Sequence, residues 1–125
     1  MRETIFRGKR IDNGKWVYGD LAHFPDKINI DPHKHGQPWR GYAVIPETVE
    51  QYTGLIDKNS KKIFEGDIVK EYNICGEEEG IGVVHWSELF VAWHWANNKC
   101  MYRGDIASYE VIGNIHDNPE LIEEV

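Results

Sequence analysis

The sequence predicts a mainly β protein with little helix, and three observations carry that expectation. Short runs rich in aromatic and β-branched residues, as at Trp16–Leu21 and Ile68–Tyr72, have the composition of strands. Turn-forming Gly, Asn, Asp and Pro recur between those runs at short intervals. No long stretch repeats its apolar residues at helical spacing. The chain has 125 residues, 41% of them hydrophobic and 12% aromatic with five Trp, which excludes disorder and suffices for a core without metal or disulfide staples.

The first element is a hairpin. Asn13-Gly14 lies between two strand-like runs and fits a two-residue type I′ turn. Such a turn pairs Asp12 with Lys15, Ile11 with Trp16, Lys9 with Tyr18, Arg7 with Asp20 and Phe6 with Leu21. It also sets Gly8 opposite Gly19, leaving a bare patch where another element can approach. Residues 22–42 carry Pro25, Pro32, Pro38, Gly36 and Gly41, and read as a long loop holding at most a short strand at Ile28–Ile30. Tyr42–Ile45 is a short strand stopped by Pro46, which itself suits the start of a helical turn.

Leu55 to Phe64 reads as a second hairpin with the polar tip Asp57-Lys58-Asn59-Ser60. Ile68–Tyr72 is a strand, Asn73 to Gly80 an exposed acidic loop, and Gly82–Trp86 and Phe90–Trp95 two further strands. Asn97-Asn98 turns the chain into Cys100–Tyr102, and Tyr109–Ile115 completes the sheet. A short terminal helix follows, with Asn118 as cap and Pro119 at its first position. The organisation expected is a single domain, 1–125, with a hairpin-and-loop subdomain (1–60) packed on a small β-barrel (61–125).

Three segments resemble the YopX family, small proteins encoded by phages and prophages. They are Phe6-Arg7-Gly8-Lys9 through Trp16-Val17-Tyr18-Gly19, Thr53-Gly54-Leu55 through Glu65-Gly66-Asp67-Ile68-Val69, and Tyr109-Glu110-Val111-Ile112-Gly113-Asn114-Ile115-His116-Asp117-Asn118-Pro119-Glu120-Leu121. The resemblance implies a phage- or prophage-derived, cytoplasmic, mostly β protein in a bacterial host; it supplies no activity and no catalytic residues. Ser60 departs from the Gly usual after Asp-Lys-Asn in that family, which makes a left-handed turn costlier. The entry Gly66-Asp67-Ile68-Val69 is similar to that of SH3-like barrels and places a small SH3-like barrel at about residues 63–116. That likeness is one of fold and carries no function.

The ends and cysteines bear on location. No apolar run follows the first basic residues, and no stretch approaches the ~20 apolar residues of a membrane helix. Cys75 and Cys100 are then expected as reduced thiols in a cytoplasmic protein without membrane contact.

No catalytic signature is present: neither a Ser-His-Asp pattern, nor a Cys nucleophile motif, nor a phosphate loop. Glu65 and Asp67 could share a strand face for acid–base work, but a bend at Gly66 with Asp67 accepting backbone N–H groups explains them as well. His33-x-His35, with His23, His85, His94 and the two Cys elsewhere, lacks the paired spacing of a zinc site. Neither metal nor cofactor is expected. Val91, Trp93 and Trp95 fall on one side of a strand and Phe90, Ala92 and His94 on the other, so one row has the option of stacking bases or filling an interface.

Lys and Arg total 14 against 21 Asp and Glu, a net charge of −7 that excludes a wholly basic nucleic-acid coat. Residues 1–15 nevertheless carry +3 and the remainder −10. The expected function is an accessory module without catalysis that binds another macromolecule and forms a homo-oligomer. Trp93, Trp95, Arg7, Lys9 and Arg10 are its candidate contacts. Two alternatives are a barrel that binds single-stranded nucleic acid, and an inhibitor whose acidic surface imitates DNA to a host enzyme.

Overall fold

A computed structural model of the protein describes residues 4–32, 41–87, 92–96, 99–100 and 107–122; the side chains of 87, 92–96, 99–100 and 107 lie outside that description. The protein is mainly β, its helical content limited to 3-10 turns at Pro46–Thr48 and Pro119–Leu121 among the described residues. Two compact units divide the chain, Met1–Tyr52 and Thr53–Val125. Each has its own apolar cluster.

In the first unit, β1 (Phe6–Lys9), β2 (Trp16–Phe24), β3 (Lys27–Asp31), β4 (Tyr42–Ala43) and the start of β5 (Glu50–Ile56) form an antiparallel sheet in the order β4-β3-β2-β1-β5. Three contacts then bring β4 back beside the end of β1. Arg10 bridges Val44, the Ile11 N–H donates to the Ala43 carbonyl at 3.0 Å, and the Ile45 N–H donates to the Lys9 carbonyl at 2.8 Å. The sheet therefore curls on itself around Val17, Ile30 and Val44, with Phe6, Leu21, Ile28, Tyr42 and Val49 packed against them. Gly8 permits this curl. A Cβ there would sit 3.1 Å from both the Ile30 Cδ1 and the Val44 Cβ, so the close approach expected at that glycine occurs.

The hairpin register differs from the sequence expectation. Phe6 faces Gly19, Arg7 faces Tyr18, Gly8 faces Val17 and Lys9 faces Trp16. Every pairing is displaced by two residues, so each side chain keeps its face but changes its neighbour. The turn is the cause. A type I′ turn needs positive φ at both central residues, whereas Gly14 has φ 70° and Asn13 is not in that region. Instead Arg10 and Lys15 flank a four-residue connection. It is held by the Gly14 N–H to the Arg10 carbonyl, the Lys15 N–H to Asn13 Oδ1, and a two-pronged Arg10–Asp12 pair.

The loop expected at 22–42 is also more ordered at its start. β2 runs to Phe24, and Pro25-Asp26 turns it into β3, with Phe24 opposite Lys27. Pro is pre-set for such a turn, which the punctuation alone left as irregular chain.

The second unit holds the rest of β5, then β6 (Lys62–Phe64), β7 (Asp67–Asn73), β8 (Glu78–Val83), β9 (His85–Ser87), β10 (Ala92–Ala96), β11 (Lys99–Cys100) and β12 (Ala107–Asn114). β5 pairs with β6, and two three-stranded antiparallel sheets have the orders β12-β7-β8 and β11-β10-β9. Among the described residues no strand pairing joins these two sheets into a closed barrel over 63–116. The core here is Ile63, Val69, Val84 and Tyr109, flanked by Leu55 and Val111. The acidic loop is shorter than expected, because β7 continues to Asn73 and β8 already begins at Glu78.

Asn118 does not cap the terminal turn with its side chain. Its Oδ1 accepts from the Asn114 N–H at 3.3 Å instead, and the space over Gly113 is what lets it reach: a Cβ on Gly113 would meet that oxygen at 2.6 Å.

Asp57 organises the β5–β6 tip. Its Oδ1 accepts from the Asn59 and Lys61 N–H groups, and its Oδ2 from the Val111 N–H on β12. The Lys58 N–H donates to the Tyr109 carbonyl, so this tip covers the outer edge of β12. Ser60 takes a left-handed conformation, φ 65°, the geometry that is costlier for a residue other than Gly. Ser60→Gly is expected to stabilise the protein by about 1 kcal/mol in urea unfolding. Destabilisation by that substitution would show that Ser60 is held by more than its backbone.

Candidate functional site

The outer face of the β1–β2 hairpin brings together aromatic, aliphatic and basic side chains. Directly opposite residues of antiparallel strands share a face. The register puts Lys9 against Trp16 and Arg7 against Tyr18, and the backbone bonds of the curl put Ile45 opposite Lys9. Ile45, Lys9 and Trp16 thus form a row across three strands, with Ile11 and Tyr18 one pleat repeat away. Tyr18 is 47% exposed, Ile11 61% and Ile45 36%. The Lys9 Nζ lies 5.5 Å and the Arg7 guanidinium 4.8 Å from the centre of the Trp16 ring. Both distances suit a cation over an aromatic face.

The basic residues of this ribbon have different fates. Arg7 is buried, 5% exposed, and its Nε donates to Glu50 Oε1 at 2.9 Å, with a second guanidinium nitrogen at the same distance. Arg10 closes on Asp12 and stacks 4.0 Å from the Tyr42 ring. That hydrogen bond raises the Arg10 pKa and lowers that of Asp12, each charge favouring its partner's charged form. Lys9 is half-buried along Trp16, and Lys15 is exposed at the start of β2. Arg7 and Arg10 therefore act first within the fold, and Lys9, which has partners of its own within the chain, lies along Trp16 in the surface row.

Trp93 and Trp95 lie on β10, and their side chains are outside the described residues. The strand register sets Trp93 opposite Trp86 and His94 opposite His85. Trp86 is 38% exposed.

Asp67 serves its own turn. It is 2% exposed, and its Oδ2 accepts from the Phe64 N–H at 2.8 Å. Gly66 between them has φ 85° and donates to the Val84 carbonyl. Among the described residues no three His, Cys, Asp or Glu side chains are grouped to hold a metal ion. His33 and His35 lie outside the described residues. Cys75 is a free, exposed thiol.

Sequence reasoning missed two things here. Ile45 was read as the end of a strand, because its opposition to Lys9 depends on the return of β4 to β1. The β7–β8 tip was read only as acidic, whereas Asn73 braces it. The Asn73 Oδ1 accepts from the Cys75 and Glu77 N–H groups, and its Nδ2 donates to Glu77 and Glu79 carboxylates. An Asn immediately before a Gly-containing acidic turn was the available signal. On the same sheet Tyr72 donates to Glu110, which raises the Tyr72 pKa, and Lys70 pairs with Glu78, which raises the Lys70 pKa.

With the fold and this face described, comparison with known proteins gives the lineage. The family model for YopX protein matches residues 5–123, nearly the whole chain. The chain belongs to the YopX family. Its fold is similar to that in the crystal structure of protein EF1440 from Enterococcus faecalis, with a TM-score of 0.61 and 22% sequence identity over 98% of this chain and 100% of that one. At that identity the likeness concerns fold alone. No curated protein matches the YopX-family chain in sequence. No helix among the described residues is long and apolar enough to cross a membrane.

Proposed function

We propose that this YopX-family chain is an accessory protein of phage or prophage origin that acts in the bacterial cytoplasm by binding another macromolecule, without catalysis. The observation that supports this reading is the outer face of the β1–β2 hairpin. Ile11, Tyr18 and Ile45 are exposed together around Lys9 and Trp16, while the neighbouring Arg7 and Arg10 are already satisfied by Glu50 and Asp12. A mixed aromatic and aliphatic patch rimmed by satisfied polar groups is the anatomy of a protein interface.

The same pairings weigh against nucleic acid as the ligand of this face. Arg7 and Arg10 are engaged by the Glu50 and Asp12 carboxylates, which lowers the number of charges available to phosphates. The test is capture from a host-cell lysate by the tagged protein, with and without nuclease. Recovery of a specific protein that survives nuclease is the expected result. Recovery of nuclease-sensitive material alone would overturn the reading in favour of nucleic acid.

A further inference from the structure

The connection between β1 and β2 carries a chemistry of its own. An Asn side chain becomes an acid without any enzyme when the backbone nitrogen of the next residue attacks its amide carbon. The reaction needs an uncrowded nitrogen that bears a proton, and an amide not already held by carboxylates. The asparagines among the described residues differ in both respects. Asn118 precedes Pro119, which has no N–H. Asn73 and Asn114 precede isoleucines branched at Cβ, and their amide nitrogens donate to Glu77, Glu79 and Asp117. Asn29 lies inside β3, and Asn59 precedes Ser60, whose side chain shields a nitrogen that Gly would leave bare.

Asn13 meets both requirements. It precedes Gly14, both residues are exposed, and even an added Cβ on Gly14 would find nothing within 4 Å. The Lys15 N–H donates to Asn13 Oδ1 at 2.9 Å. That bond folds the side chain toward its own C-terminal peptide, where the attacking nitrogen lies. It also polarises the amide carbonyl and stabilises the negative charge that develops on Oδ1 during attack. One contact holds the nitrogen back: the Gly14 N–H donates to the Arg10 carbonyl at 2.9 Å. The Arg10–Asp12 pair closes the same connection, and the Asp12 carboxylate opposes the loss of a proton nearby.

We propose that Asn13-Gly14 is a self-modification site at which the folded chain converts Asn13 to aspartate and isoaspartate, gated by the Arg10–Asp12 pair. Hydroxide removes the Gly14 amide proton once its bond to Arg10 opens. The nitrogen's electron pair then forms a bond to the Asn13 Cγ, the Cγ–Nδ2 bond breaks, and Nδ2 leaves as ammonia with a proton from water. Water opens the resulting cyclic imide at either carbonyl, so neither oxidant nor reductant is involved. Both products place a second negative charge beside Asp12, and isoaspartate also adds a carbon to the backbone of the connection.

Incubation of the full chain in mildly alkaline buffer tests this, read by peptide mass mapping and by methyltransferase labelling of isoaspartate. Conversion is expected at Asn13 ahead of Asn59, and faster as pH rises. Asp12→Ala is expected to speed it about two- to fivefold, the range an exposed ion pair supports, and high salt to act in the same direction. The chain held unfolded in urea gives the rate of the bare Asn-Gly sequence. A folded chain that keeps Asn13 as the amide while the unfolded chain converts overturns the site, because the fold then protects it. Conversion at Asn59 ahead of Asn13 overturns it as well. A rate indifferent to both Asp12→Ala and salt overturns the gate.

Discussion

Glu50→Ala is expected to destabilise the protein by about 3–5 kcal/mol, because it removes the carboxylate paired with the buried Arg7 guanidinium. Both side chains of this pair are nearly enclosed, at 6% and 7% exposure, and Arg7 gives two nitrogens to one Glu50 oxygen at 2.9 Å. Removing the carboxylate takes the ion-pair partner from a buried cation, a loss that the Trp16 face does not replace. Urea unfolding monitored by Trp fluorescence measures the loss. The double variant Arg7→Met, Glu50→Leu is expected to recover most of it, since an apolar pair of similar size removes both desolvation penalties. A loss below about 1 kcal/mol for Glu50→Ala would mean that the pair behaves as a surface ion pair.

The second large effect is expected at Asp57. Three backbone N–H groups depend on its carboxylate, and the Val111 N–H at 3.1 Å lies on a different strand. Hydrogen bonds to a charged acceptor contribute about 1.5–3 kcal/mol each, but the Asn59 and Lys61 amides at the tip regain water once the acceptor is gone. Asp57→Ala is therefore expected to cost about 3 kcal/mol, with faster hydrogen exchange at the Val111 amide and in the outer edge of β12. Asp57→Asn keeps one acceptor oxygen and is expected to fall between the two. Unchanged exchange at Val111 would contradict the role assigned to Asp57 in covering that edge.

These two residues show what local sequence signals convey and where they stop. Most strands were legible as short aromatic and aliphatic runs closed by Gly, Pro or Asn, and the tip at Asp57 to Ser60 was legible as a turn; the start of β5 at Glu50 was not, because Pro46 to Tyr52 reads locally as a helical turn. The partners of the charges were not. Arg7 sits 43 residues from Glu50, and the expectation gave it Asp20 through a turn that forms differently. Asn13-Gly14 favours a type I′ turn taken by itself, yet the Arg10–Asp12 pair and the Asn13 bond to Lys15 hold a wider loop and displace the whole ladder by two.

The displacement keeps side-chain parity, so Lys9 and Trp16 remain on one face, as the alternation required. Ile45 joins that face only through the return of β4 to β1, a pairing between Arg10 and Val44 with no local signature. Long-range contacts of this kind are set by core packing around Gly8, Ile30 and Val44, which no window of the sequence contains.

The β1–β2 face is the centre of this account, and a substitution pair tests it most directly. Tyr18→Ser with Ile45→Ser removes two exposed apolar side chains of the face, while Ile56→Ser removes a still more exposed isoleucine from the second unit. Capture of the nuclease-resistant partner is expected to be lost in the first variant and retained in the second, with all three proteins melting alike. Capture that survives Tyr18→Ser with Ile45→Ser, in a protein that melts as the wild type does, would contradict the assignment of this face.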